Sequence, residues 1–195
     1  VHADGILLVN GGDSLHALDT ASGSLYTMEG ESMRLRAQFT NEIFDRQADR
    51  LTERRFAFPT LVSTANGEAL YLLASNQDRP TEYDLYFFPL ASGVSGMVKL
   101  DNVIGIAAYQ DDQIIALIGK PDLYRIVTIS TADNRVERVL FEDESPCYRI
   151  TGMAYDADAD RLVVATEEQI YQVTDQQMID LCTYLPEMEQ REYDK

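Results

Sequence analysis

A recurring round of four short strands constrains this chain more than any other feature of its sequence. In residues 56–76, FAFPTLVSTANGEALYLLASN, an apolar and β-branched run leads into Ala65-Asn66-Gly67-Glu68, a hairpin signal. A second apolar run without helical spacing follows, so the stretch reads strand, tight turn, strand. Residues 84–90 supply a third strand after a polar loop, and residues 96–100 a fourth. The same round recurs as VIGIAAYQ, QIIALIG, LYRIVTIS and RVERVLFE, and again as YRITGMAY, RLVVATE, QIYQVTD and MIDLCTYL. Runs read as second strands (ILLV, LYLL, IIAL and LVVA) begin at residues 6, 70, 114 and 162. The last two steps match the roughly 40–50 residues of propeller repeats. Second strands apolar on both faces also suit blades sandwiched between neighbouring blades. The predicted fold is therefore all-β: a β-propeller of about four blades, or part of a larger one.

The predicted layout is a propeller over residues 1–185, with blades at 56–100, 101–144 and 147–185. The first round, residues 5–29, has three short runs separated by glycine-bearing turns and is expected to lack its innermost strand. Residues 30–55 begin with alternating Met33, Leu35, Ala37 and Phe39, then turn charged, and read as an irregular insertion with an edge strand. Residues 186–195, PEMEQREYDK, read as a charged tail or linker.

Composition excludes several function classes. The formal charge is −17, from 33 acidic and 16 basic residues, so the chain repels phosphate backbones and nucleic acid is not an expected partner. The basic cluster Arg46, Arg50, Arg54 and Arg55 is interleaved with acids and reads as a mixed surface. No apolar run reaches the length needed to span a bilayer, and the first residues do not read as a signal peptide. Cys147 and Cys182 are too few for a disulfide framework or a zinc site. They are placed on strands too far apart to pair.

The motif search yields no chemistry. Asp156, Asp158, Asp160 and Glu167 occupy calcium-loop positions, but Arg161 stands where the loop needs glycine and a strand follows, so the stretch reads as a hairpin turn. Gly93-Val94-Ser95-Gly96 falls one residue short of a nucleophile elbow, and His2 and His16 are the only histidines. His16 aligns with Tyr86, Tyr124 and Tyr171 as a packed blade residue. Glu167-Glu168 and Asp111-Asp112 fall in turns, and no carboxylate pair for glycoside cleavage stands out. No metal and no cofactor is expected.

The stretch GILLVNGGDSLHALDTASGSLYTM resembles a repeat of the pyrroloquinoline-quinone-type (PQQ-like) propellers, which run strand, LYALDAATG, strand. The rounds FPTLVSTANGEALYLLASN, YDLYFFPLASG and MAYDADADRLVVATEEQIYQV are similar to TolB-like blades with their FSPDGKxLAF…IYxxDL layout. The resemblance covers most of the chain and implies the propeller fold. It carries over no quinone-site residue, and it does not fix function. It implies an envelope setting, hence an extracytoplasmic location.

In such a propeller, loops between second and third strands, and between blades, share one rim. The loops expected there are residues 10–13, 76–83, 120–122, 167–169 and 146–149. The longest, NQDRPTEY, mixes an arginine, a proline and a tyrosine, as recognition loops do. Asp78, Arg79, Tyr83, Lys120 and Tyr148 are the residues expected to border a binding rim. The main expectation is a non-catalytic binding or scaffold module for a protein or extended ligand. The alternative is an accessory propeller of a larger extracytoplasmic hydrolase or solute-binding lipoprotein, whose partner is the remainder of a longer chain.

Overall fold

The computed structural model describes residues 5–10, 14–44, 55–76, 79, 82–91, 95–110, 112–144, 146–174 and 177–181. These residues form four four-stranded antiparallel sheets, and the chain has an all-β propeller-type fold. The first sheet holds β1 (Ile6–Val9), β2 (His16–Asp19), β3 (Ser24–Glu29) and β4 (Ser32–Gln38). The second holds β5 (Phe56–Thr64), β6 (Gly67–Ser75), β7 (Tyr83–Pro89) and β8 (Gly96–Val98). The third holds β9 (Val103–Ala108), β10 (Gln113–Lys120), β11 (Leu123–Ser130) and β12 (Val136–Asp143). The fourth holds β13 (Ile150–Asp156), β14 (Arg161–Thr166), β15 (Ile170–Thr174) and β16 (Gln177–Asp180). Strands pair in chain order within each sheet, and β1 adjoins β5, β5 adjoins β9, and β9 adjoins β13.

The alternation of the strands explains how the sheets stack. On β6, Ala69, Tyr71 and Leu73 enter the core shared with the third sheet, while Leu70, Leu72 and Ala74 enter the core shared with the first. On β10, Ile114, Ala116 and Ile118 face the second sheet, and Ile115 and Leu117 face the fourth. A strand whose side chains alternate between two cores must be apolar at every position, which is why these runs show no polar face.

Two expectations about the first round are corrected. It does not lack a strand: GILLV supplies the first strand, and the alternating run after residue 30 supplies the fourth, β4. His16 accordingly lies on β2, not in a third-strand column, and Asn10 follows a first strand rather than a second one, so it is at the opposite end of the strands from the expected rim; residues 11–13 lie outside the described residues. The apolar run ILLV read as doubly buried, yet Ile6 and Leu8 are 64% and 65% exposed. They share an outward face with Leu15, Met33 and Leu35, all exposed. Ile170 and Ile179 are exposed on the outer face of the fourth sheet. Apolar content alone cannot tell an end sheet from an inner one.

Beyond β4, a short 3-10 turn (Glu42–Phe44) tucks Ile43 and Phe44 into the core of the first two sheets. Phe44 lies over Phe56 and against Phe88. Gly23 makes this docking fit: its φ is +68°, and an added Cβ would lie 2.7 Å from the Phe39 carbonyl oxygen and 2.8 Å from the Phe44 ring. Gly30 has a similar φ of +64° but open space around it. Gly30→Ala is expected to cost about 1 kcal/mol, the conformational penalty alone. Gly23→Ala should cost about 3 kcal/mol or more, since the overlap adds to that penalty. Urea unfolding of the two variants checks this; equal losses would show that the turn does not dock as described.

Candidate functional site

The described rim residues are distributed over separate turns and strand ends. Arg79 follows β6 in a turn where its backbone N–H donates to Asn76 Oδ1 at 3.1 Å, and its guanidinium pairs with Glu82 at 2.6 Å. Tyr83 opens β7 opposite Ser75 and packs against the core between the second and third sheets. Lys120 ends β10 opposite Leu123 and is exposed. Tyr148 precedes β13; its hydroxyl donates to Asp143 Oδ2 at 2.8 Å and its ring stacks on Tyr124 with centroids 5.9 Å apart. Burial, and then the hydrogen bond to Asp143, push the Tyr148 phenol well above its ordinary value. Asp78 lies outside the described residues, as does Cys182, while Cys147 is free and exposed. No hydrogen bond, ion pair or ring contact joins Arg79, Tyr83, Lys120 and Tyr148 to one another. Arg79 and Tyr83 lie at the β6–β7 connection, Lys120 at the β10–β11 connection, and Tyr148 before β13, and they do not form one constellation.

Two features were not singled out from the sequence as sites. The first is a polar network between the first and second sheets. His16 is 2% exposed, and its Nε2 lies 3.1 Å from Arg36 Nη1. Arg36 can only donate, so Nε2 accepts and Nδ1 carries the proton, which it gives to Thr27 Oγ1 at 2.9 Å. Arg36 also pairs with Glu68 on β6, linking the sheets. Burial first, and then the Arg36 cation, lower the His16 pKa below 6.5, against opposing contributions from Glu68 and the Tyr26 backbone.

The second feature is a set of β-bulges at matching places on three first strands. Register slips between Ala57 and Thr60, between Gly105 and Val103 opposite Leu117 and Ile118, and between Ile150 and Gly152. Phe58, Ile104 and Thr151, the extra residues, line one small cavity of about 20 Å³. Phe58 has φ of +51° and is 39% exposed, an unusual state for an aromatic residue. The bulge frees Pro59 O and Leu61 N to bond with Asn10 at 2.9 and 2.7 Å, which ties the first sheet to the second. Bulges have no simple sequence signature beyond the proline at Pro59.

The run Asp156 to Asp160 closes the β13–β14 hairpin. Asp156 Oδ2 accepts from Arg161 Nε and Nη2 at 3.1 and 2.9 Å. The Ala159 backbone N–H, and then Arg161, hold its carboxyl below the usual carboxylate range. Asp160 Oδ1 accepts from the Tyr155 hydroxyl at 2.6 Å and from Gln110 Nε2 at 3.2 Å, and these bonds lower its pKa in that order.

No known family matches the sequence, and no curated protein matches it. Solved structures do match its fold. Two are of exo-β-1,3-galactanase from Phanerochaete chrysosporium, a glutamate-to-glutamine and a glutamate-to-alanine variant, each with β-1,3-galactotriose. Each aligns with a TM-score of 0.56 at 10% identity over 93% of this chain. The chain spans half the length of those proteins. Identity this low speaks to the fold alone. The expectation of a non-catalytic binding or scaffold module is nevertheless corrected by it, because the fold recurs in a galactan-cleaving enzyme over nearly all of this length. The likeness supports the propeller fold and does not bear out TolB-like or PQQ-like repeats in particular. Among the described residues, no helix is long and apolar enough to cross a membrane.

The buried His16 gives a pH test of the network between the first two sheets. A folded-state pKa below 6.5 means that the unfolded chain takes up the proton first as pH falls. Stability is therefore expected to decline below 6.5 and to level off once the folded-state pKa is passed. Urea midpoints taken from about pH 8 down to about pH 5.5 should fall in the parent and fall less in His16→Gln. An identical decline in both would assign the slope to other groups.

Proposed function

We propose that this propeller is the accessory domain of a larger extracytoplasmic hydrolase that acts on a glycan. The observation that carries this reading is the fold shared with a galactanase over half of that enzyme's length. Glycoside cleavage uses two carboxyl groups about 5 to 9.5 Å apart across the scissile bond. Among the described residues, β1, β5 and β9 contain no aspartate or glutamate, and β13 contains only Asp156, held by Arg161. The strongly acidic composition suits a domain that remains soluble beside a polysaccharide.

In this reading the rim bordered by Asp78, Arg79, Tyr83, Lys120 and Tyr148 is where the extended polymer crosses the propeller, and the catalytic carboxylates come from the remainder of a longer chain. The stacked Tyr124 and Tyr148 rings beside Asp143 supply the aromatic and acceptor groups that sugars favour. No metal or cofactor enters the proposal.

Affinity electrophoresis in β-1,3-galactan and other neutral β-linked polysaccharides tests the reading, together with an assay for released reducing ends. The chain is expected to be retarded by at least one polysaccharide without cleaving it. Arg79→Ala combined with Tyr83→Ala should weaken retardation while leaving stability within about 1 kcal/mol. Release of reducing ends by this chain alone would make it the catalytic unit, and migration unaffected by every polysaccharide would remove the glycan.

A further inference from the structure

A cleft of about 310 Å³ opens between the third and fourth sheets, lined by Tyr109, Arg138, Leu140, Tyr155, Asp160 and Leu162, among others. It lies at the end of β9 and the start of β14, so it is at the opposite end of the strands from Lys120 and Tyr148. Its construction follows from the local sequence. Tyr109 and Tyr155 come off the ends of two neighbouring first strands, and their rings meet with centroids 4.6 Å apart at 56°. The floor is apolar and buried, made by Leu162 and Val173. One wall is β12, whose register against β11 slips twice, leaving Glu137 and Leu140 as extra residues. Those slips bracket Arg138 and Val139, both exposed at the cleft.

The polar groups of this cleft are arranged and only partly used. Asp160 sits at φ of +47° and closes the turn, with Oδ1 taken up by Tyr155 and by Gln110. Those two donors hold the carboxylate in place and ionised, while no hydrogen bond engages Oδ2 among the described residues. Arg138 makes no ion pair among the described residues, although the chain carries twice as many acids as bases. Its cross-strand partner Thr128 is 1% exposed, and Thr128 Oγ1 is the single buried side-chain polar atom left without a hydrogen bond among the described residues. Thr128 alternates with Val127 and Ile129, which face the second sheet, so it points to the side on which the cleft lies.

We infer that this cleft binds one neutral hexosyl unit of a glycan, as a second anchor remote from the rim. A free guanidinium and a free carboxylate oxygen together suit groups that both accept and donate. Vicinal sugar hydroxyls do both: they accept from Arg138 and donate to Asp160 Oδ2. The tyrosine rings and the Leu162–Val173 floor cover the apolar face of the pyranose. A neutral sugar fits better than an acidic one, because a chain of charge −17 repels anions. This assignment rests on the glycan reading above.

The test is an amide NMR titration of the chain with β-1,3-galactotriose, cellotriose and maltotriose, followed in the parent, in Arg138→Ala, in Asp160→Asn and in the rim double variant Arg79→Ala with Tyr83→Ala. Asparagine tolerates the left-handed conformation at 160, and Arg138 is exposed, so both single variants keep the fold. One of the glycans is expected to shift the amides of residues 109–110, 138–140 and 155–160 saturably. Affinity at these amides should fall about tenfold or more in each single variant and stay unchanged in the rim variant. Shifts confined to the rim, or cleft affinity unchanged in both single variants, overturn the cleft while leaving the glycan reading standing. Silence at both rim and cleft toward all three glycans overturns the glycan reading together with the cleft.

Discussion

Two strands buried on both faces hold this molecule together. β6 and β10 each send alternate side chains into two different cores, so every residue from Ala69 to Ala74 and from Ile114 to Ile118 is buried. Each leucine or isoleucine so placed contributes about 1.5–3 kcal/mol of burial, and none can become polar without ending one sheet-to-sheet contact. One polar group that enters these cores finds a specific partner: the Tyr71 hydroxyl, forced far above its usual pKa by burial, donates to Asn134 Oδ1 at 2.7 Å. Asn134 holds φ of +57° in the turn before β12, so this one bond fastens a turn of the third sheet to the centre of the second.

The same constraint explains what could be read from the sequence. LYLL and IIAL announce doubly buried strands because nothing else demands apolar residues at every position, and the hairpins between strands were visible in Asn66-Gly67 and in the aspartate-rich turn before Arg161. ILLV misled because an end sheet keeps the apolar sequence of a blade while one of its faces meets nothing among the described residues. Counting it as a second strand displaced the whole first round by one strand, and with it His16 and the loop at residues 10–13. The site was much less legible. Tyr148 and Tyr124 are far apart in sequence and come together only because β11 and the segment before β13 meet between the third and fourth sheets. Tyr109 meets Tyr155, and Gln110 meets Asp160, by the same route, which depends on how adjacent sheets are rotated rather than on any local pattern.

The first strands are apolar and bulged around Phe58, Ile104 and Thr151, whereas charged and aromatic groups collect at the two ends of the strands. One end carries Arg79, Tyr83, Lys120 and Tyr148 at strand ends and in turns; the other carries Arg138, Tyr155 and Asp160 in a cleft with an apolar floor. The two groups therefore sit at opposite ends of the strands, separated by the length of the sheets.

Native-state hydrogen exchange tests the central physical claim most directly. If β6 and β10 are the strands on which the rest depends, their amides exchange only through global unfolding, with one common free energy in both strands. The edge strands β1 and β16, each paired on one side and exposed on an outer face, should exchange through smaller local openings. Protection in β1 or β16 equal to that in β6, or local opening of β10 while the outer strands stay protected, would contradict the account.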